Sequence, residues 1–313
     1  MHNSQAILLL AYGSPDTQDD IEAYYTDIRH GHPPDAAQLK ELQNRYAAIG
    51  GKTPLLEITH KQSKLLEERL STKTYIGMKH WHPYIPDAVK QIADSGAKQI
   101  VAIVLAPHYS MMSIGDYKAR LHHAIEEVDP TIQVSLIKQW GDNQVFIDSL
   151  CERIETTRKS FPHPDWDDIE VVFTAHSLPM KILEMNDPYQ KELLQTSTLA
   201  AAKLNLPHWR LSFQSAGRTR DTWLGPDILQ ELQTIKKEGG KQVLVAPIGF
   251  TTDNLEILYD LDIQAAESAK EQGITFKRIP SANVTPRFIA ALQDVIEPYL
   301  YQEHILVGVN PEK

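Results

Sequence analysis

Short runs of Val, Ile and Leu recur along the chain, separated by longer stretches whose apolar residues return every three or four positions. The first pattern is that of strands buried on both faces and the second that of amphipathic helices. Their alternation predicts a parallel α/β fold. Strands are predicted over 6–11, 73–78, 100–106, 132–138, 169–175, 209–214, 242–248 and 274–279. Helices are predicted over 54–71, 86–96, 116–128, 144–160, 189–204, 226–238, 254–272 and 285–302. Pro54, Pro86, Pro226 and Pro286 stand at helix starts, where the missing N–H is tolerated.

The pattern also repeats itself. Leu8-Leu9-Leu10-Ala11-Tyr12-Gly13-Ser14-Pro15 is echoed by Val172-Phe173-Thr174-Ala175-His176-Ser177-Leu178-Pro179. Ile103-Val104-Leu105-Ala106-Pro107-His108 is echoed in the same relative place by Val243-Leu244-Val245-Ala246-Pro247-Ile248. Two similar halves, each a small wound sheet, would leave a cleft between them. The polar, Pro-rich stretch Phe161-Pro162-His163-Pro164-Asp165 falls where a boundary between them belongs.

Composition narrows the functional classes. At 313 residues there is enough chain for two cores, and 42% hydrophobic with 23% charged residues is globular. A net charge of −10 argues against a nucleic-acid partner, which needs a basic surface. The single cysteine, Cys151, excludes an internal disulfide and a cysteine-only zinc or iron–sulfur site, and suits a reducing cytoplasm. No basic leader precedes Ile7-Leu8-Leu9-Leu10, and no apolar stretch approaches the roughly 20 residues of a membrane helix. The expectation is a soluble cytoplasmic protein.

In a wound parallel sheet, ligands bind at the C-terminal strand ends. Two predicted strands run directly into chemistry there. One ends at His176-Ser177-Leu178-Pro179, and the other leads through Thr251-Thr252-Asp253-Asn254 to Glu256. A lone strand-end histidine as often serves loop backbone, and an acid in a first helical turn is often only a cap. Together, one nitrogen and one oxygen ligand resemble a labile site for an ion in transit. Asp253, Glu256 and Asp260 recur at three and four, which predicts one acidic stripe along that helix, most often a solvated face. Near the N-terminus, tyrosines and arginines (Tyr12, Tyr24, Tyr25, Arg29, Arg45, Tyr46) suit a flat aromatic ligand bearing carboxylates. Met111 and Met112 would add soft apolar surface. Gly50-Gly51-Lys52-Thr53-Pro54 lacks the spacing of a phosphate loop. Ordinary packing accounts equally well for any one of these residues.

Taken in order, Ala11-Tyr12-Gly13-Ser14-Pro15, Arg45-Tyr46-x-x-Ile49-Gly50-Gly51, Ala106-Pro107-His108-Tyr109-Ser110 and Ala175-His176-Ser177-Leu178-Pro179 resemble ferrochelatases. So do Gln214-Ser215 with Trp223-Leu224-Gly225-Pro226, and Pro247-Ile248-Gly249-Phe250 with Leu255-Glu256-Ile257-Leu258-Tyr259-Asp260. The tyrosine after the first strand, the short length and the missing cysteine-rich tail resemble the Gram-positive branch, which inserts iron into coproporphyrin III. The resemblance implies two Rossmann-like domains with parallel sheets and a porphyrin cleft between them. Their bounds would be 1–148 and 149–284, with helix 285–302 packing back on the first.

The resemblance also implies roles. His176 and Glu256 would be the metal and proton-handling pair on one porphyrin face, with Tyr12 approaching the metal from the other, axial to the product iron. Arg29, Arg45, Tyr46, Thr53 and Tyr117 would contact the macrocycle or its propionates. Fe²⁺ would be a substrate and no cofactor is required. The partners would be coproporphyrin III or protoporphyrin IX and Fe²⁺, acting on a monomer. Two positions depart from the family, Asn254 for its usual His and Gln264 for a frequent acid. The second weakens the case for an outer Mg²⁺ site near Arg45 and Asp260. Other readings are a cobalt or nickel tetrapyrrole chelatase and a porphyrin or haem carrier on the same fold. A periplasmic-type binding protein is disfavoured by the lack of an export signal.

Overall fold

The computed structural model describes residues 4–300 except Arg218 and Arg220. The end of predicted helix 285–302, residues 301–302, lies outside the described residues. All eight predicted strands form, in two parallel sheets. The first holds β1 (Gln5–Ala11), β2 (Thr74–Met78), β3 (Gln99–Val104) and β4 (Gln133–Ile137) in the order β2-β1-β3-β4. The second holds β5 (Glu170–His176), β6 (Trp209–Gln214), β7 (Gln242–Pro247) and β8 (Thr275–Arg278) in the order β6-β5-β7-β8. The winding is the same in both, so the echoing segments occupy equivalent strands: β1 matches β5, and β3 matches β7.

Helices cover both faces of each sheet, which is why the strands are apolar throughout rather than alternating. Before β2 come α1 (Ile21–Ile28), α2 (Ala36–Ala48) and α3 (Leu55–Leu70), followed by α4 (Ile85–Asp94), α5 (Ile114–Val128) and α6 (Gln144–Arg158). The second half adds a single turn α7 (Lys181–Glu184), then α8 (Tyr189–Leu204) and α9 (Ile228–Lys237). A π-helical segment Glu256–Ala265 runs into α10 (Ala266–Glu271), and α11 (Pro286–Leu300) closes the described chain.

Ile7 and Leu9 pack beneath Leu66 of α3 and Phe288 and Leu292 of α11, so the last helix returns to the first sheet. Leu8 and Leu10 face α4 and α5 through Ile85, Val89 and Leu121. In the second half Val171 and Phe173 meet Leu150 of α6 and Leu193 of α8. Val172, Val243 and Val245 meet Leu232 of α9 and Ile257 and Leu261 of the π segment. Each such side chain contributes about 1.5–3 kcal/mol by burial. No helix among the described residues is long and apolar enough to cross a membrane.

The departures from the expected elements have physical causes. The periodicity does not reveal α1 and α2, because α1 buries only Ile21 and Tyr24, and α2 only Tyr46. Predicted helix 226–238 starts later, at Ile228, with the Asp227 carboxylate accepting the Leu229 N–H as a cap. Pro226 instead ties the turn to β6, its carbonyl accepting Phe213 N–H at 2.9 Å. Predicted helix 254–272 is π-helical over Glu256–Ala265. Asp253 precedes this helix and bonds to Ser281 and Asn283, so the expected single acidic stripe does not form.

Candidate functional site

The carboxyl ends of the central strands converge on one cleft. A cavity of about 270 Å³ is lined by Tyr12 after β1, Lys79 after β2, Tyr117 of α5, His176 at the end of β5 and Glu256. An adjoining lobe of about 210 Å³ is lined by Arg45, Tyr46 and Thr53, and shares Tyr12, Asn254 and Glu256 with the first. The two lobes therefore form one slot between the halves, with Tyr12 and Glu256 common to both.

His176 is the last residue of β5, and its neighbours fix it firmly. The Ser177 N–H donates to the Gln214 carbonyl at 2.7 Å, and the Tyr189 hydroxyl donates to the His176 carbonyl at 2.9 Å. On the ring, Nδ1 donates to the Ser177 carbonyl, so Nε2 carries the reactive position. Nε2 lies 3.3 Å from Glu256 Oε1, and the two side chains keep 34% and 32% of their surface open. Burial alone would lower the His176 pKa, but the Glu256 charge and the Ser177 carbonyl outweigh it and raise the pKa. For Glu256, burial acts to raise the pKa, but His176 and Arg45 outweigh it and the pKa falls. Both shifts favour a proton resting on His176 beside an ionised Glu256.

The chain reaches Glu256 by passing close to β5. A Cβ at Gly249 would lie 2.8 Å from the Ala175 Cβ, so only glycine lets the loop after β7 run beside His176. Asn254 accepts the Ile257 N–H at 2.9 Å and caps the π segment, a structural use for an amide at that position.

On the opposite wall, Tyr12 is 42% exposed to the cleft. Gly13, at φ +95°, turns the chain immediately behind it, and a Cβ there would sit 2.9 Å from the Trp81 nitrogen. Desolvation within the cleft, with the Glu256 charge adding to it, raises the Tyr12 phenol above its usual range. Its ring lies 4.6 Å from that of His80 and 5.6 Å from Lys79 Nζ. Lys79 also lies 5.2 Å from the Tyr117 ring and pairs with Asp116 at 2.6 Å. Burial lowers the Lys79 pKa, with Asp116 opposing it. His80, bound through Nδ1 to Asp27 at 2.7 Å, is pushed down to about 4 by burial. Sequence reasoning passed over Lys79 and His80, yet they follow predicted strand 73–78 directly, as Tyr12 and His176 follow theirs. That position was the available signal.

The other predicted residues divide. Arg45 is ion-paired with Asp260 and stands 4.7 Å over the Tyr259 ring. Ser215 donates to the second oxygen of Asp260, so both are engaged, and Gln264 is exposed. Among the described residues, no group of three or more His, Cys, Asp or Glu side chains is placed to hold a metal ion. Thr53 donates to Ser14 Oγ at 2.8 Å, and the Tyr46 hydroxyl lies 3.2 Å from the same atom. Burial pushes the Tyr46 phenol up to about 12. Arg29 does not line either lobe; it bonds the His32 carbonyl at 3.1 Å and lies 5.7 Å over the Tyr25 ring. Met111 and Met112 are exposed beside the cleft. Asp253 is turned away from Glu256 and Asp260, toward Ser281 and Asn283.

At the far end of the cavity His108 is buried, 2.8 Å from Thr196 Oγ1, whose own proton goes to the Gly141 carbonyl. The histidine Nε2 is therefore the donor and the ring is neutral. Desolvation pushes its pKa from 6.5 to about 3. Because the unfolded chain binds this proton more readily, stability is full above pH 6.5 and declines as the pH falls toward 3. In urea titrations from pH 7 to pH 4, His108→Gln is expected to lose less stability on acidification than the unsubstituted protein. Parallel losses would show that His108 does not contribute to acid sensitivity.

Comparison with known proteins agrees with this architecture. The ferrochelatase family model matches residues 4–300. A ferrochelatase of Herpetosiphon aurantiacus is 41% identical over 302 residues, covering 95% of this chain and 99% of that one. The coproporphyrin III ferrochelatase of Geobacillus kaustophilus is 41% identical over 300 residues, covering 93% and 94%. Among solved structures, SirB from Bacillus subtilis with Fe³⁺ matches with a TM-score of 0.63 over 95% of this chain and 96% of that one. At 13% identity that likeness is one of fold. With the family model spanning nearly the whole chain and relatives this similar, the protein belongs to the ferrochelatase family.

Proposed function

We propose that the protein inserts ferrous iron into coproporphyrin III to give Fe-coproporphyrin in haem biosynthesis. The observation that carries this reading is the His176–Glu256 pair facing a cleft whose opposite wall presents Tyr12. Relatives about 40% identical over nearly the whole chain include coproporphyrin III ferrochelatases.

The reaction exchanges two pyrrolic protons for one Fe²⁺. A planar macrocycle holds its nitrogen lone pairs in the ring plane. A slot that grips the carboxylate periphery and bends the ring exposes them to the ion, with remote binding energy sustaining the strain. His176 and Glu256 replace water around the arriving cation, which displaces the proton resting between them. As the ring nitrogens bind the metal, their protons leave through the same pair. Tyr12 meets the metal from the other face. Arg45, Tyr46, Thr53 and Tyr117 line the remaining walls, and Arg29, which lines neither lobe, would meet only a propionate that extends beyond them. Iron is substrate and cargo, and the site works without a resident cofactor. Both Asp260 oxygens are engaged, by Arg45 and Ser215, which supports a reading without an outer Mg²⁺ there. The protein acts in the cytoplasm as a monomer, and its acidic charge disfavours nucleic acid.

Coproporphyrin III carries more propionates than protoporphyrin IX. One further charge-assisted hydrogen bond, at roughly 1.5–3 kcal/mol, corresponds to a preference of about tenfold or more. Anaerobic steady-state assays with Fe²⁺ are expected to give a kcat/KM at least about tenfold higher for coproporphyrin III. Equal or better turnover of protoporphyrin IX would reassign the substrate.

A further inference from the structure

Asp253 belongs to the strand-end segment that the sequence marks as chemical, yet the structure gives it no place in the cleft. Its Oδ1 accepts the Ser281 hydroxyl at 2.6 Å, and its Oδ2 accepts the Asn283 side-chain amide at 2.8 Å. Its own N–H donates to Asn283 Oδ1 at 3.0 Å, and the Asn283 N–H donates to the Thr251 carbonyl at 2.9 Å. Arg278 Nη1 stands 3.7 Å from Oδ1. Asn283 holds a left-handed conformation at φ +45°, which asparagine adopts more readily than most residues.

The two residues before it are also anchored. Thr251 Oγ1 donates to the Leu105 carbonyl beyond β3 at 2.8 Å. Gln62 Nε2, on α3, reaches Thr252 Oγ1 at 3.3 Å and the Asn283 carbonyl at 2.7 Å. Thr251, Thr252 and Asp253 therefore fix one short loop to the first sheet, to α3 and to the crossover before α11. Glu256 follows three residues later. A carboxylate that must oppose an imidazole across 3.3 Å tolerates little drift, since a misplacement near 1 Å can cost up to about 10²-fold in rate.

We propose that Asp253 is a positioning residue for metal insertion. With Asn283 it clamps the loop that delivers Glu256 against His176, a role that rests on the metal–proton function assigned to that pair.

The test compares Asp253→Asn with the unsubstituted protein in anaerobic insertion assays. The new amide nitrogen would face Asn283 and break that bond, or face Ser281, whose hydroxyl would have to reverse and accept; either way the charge that Arg278 faces is lost. Turnover is expected to fall about tenfold and the KM for Fe²⁺ to rise, with the KM for coproporphyrin III within about twofold. The exchange Asp253→Asn with Asn283→Asp restores donor–acceptor matching and is expected to recover most of the turnover. In a Glu256→Gln background, Asp253→Asn should add little, because the group it positions is already disabled.

Unchanged turnover in Asp253→Asn would overturn the proposal, as would equal losses with and without Glu256, or no recovery in the exchange variant. Should Asp253→Asn fail to fold, Ser281→Ala removes one bond alone. It should show the same split on a smaller scale, and unchanged turnover there would likewise overturn the proposal. If the unsubstituted protein itself inserts no metal, the assigned function fails rather than the clamp.

Discussion

Replacing His176 with alanine is expected to lower the turnover of iron insertion by about 10²–10⁴-fold, the usual worth of a positioned proton-transfer group. Coproporphyrin III affinity should stay within a few-fold. The argument is geometric. Nδ1 is committed to the Ser177 carbonyl, so Nε2 is the atom that faces Glu256 and the cleft. Among the described residues, neither of the two histidines nearest the cleft walls is free to replace it. His80 is tied to Asp27 and pushed down to about 4, and His108 is buried against Thr196. On the proposed reading, porphyrin binding rests on the tyrosines and arginines of the walls, which the substitution leaves in place. Fluorescence titration would report binding and anaerobic single-turnover absorbance the insertion. Turnover within a few-fold of normal would remove His176 from the chemistry.

Glu256→Gln should have the next largest effect, about 10–100-fold in metal capture or turnover, as for partners that orient a metal-binding histidine. The amide keeps the shape but loses the charge that raises the His176 pKa. That shift has a sign. A raised histidine holds its proton to higher pH, so insertion that needs a free Nε2 is expected to decline as the pH falls through that raised value. Without the Glu256 charge, the acid limb should move to lower pH even as the maximum rate drops. Rates measured from pH 5 to pH 9 would show both changes. An unmoved acid limb would mean that the carboxylate does not govern the imidazole.

Much of this architecture was readable from the chain, for reasons that particular residues make plain. Parallel strands buried on both faces are continuous apolar runs, so segments such as Val171–Ala175 and Val243–Ala246 declare themselves. The strand-end rule then locates His176, Tyr12 and the approach to Glu256 without any contact information. The same rule, applied to strand 73–78, would also have found Lys79 and His80. Other features depend on tertiary packing. Helices α1 and α2 bury too few side chains to show a periodic face. The π segment reads as an ordinary helix, because its apolar spacing is that of one. Arg45 and Asp260 are far apart in sequence, and their pairing has no local signature. Asp253 looked like part of an acidic face until Asn283 and Ser281 supplied its partners.

The most direct measurement is anaerobic stopped-flow absorbance of the protein loaded with coproporphyrin III and mixed with Fe²⁺. Iron insertion by the cleft should convert the bound free-base spectrum to that of Fe-coproporphyrin within one turnover. A porphyrin that binds tightly yet keeps its free-base spectrum in the presence of Fe²⁺ would contradict the account and leave the fold as a carrier or as a chelatase for another metal.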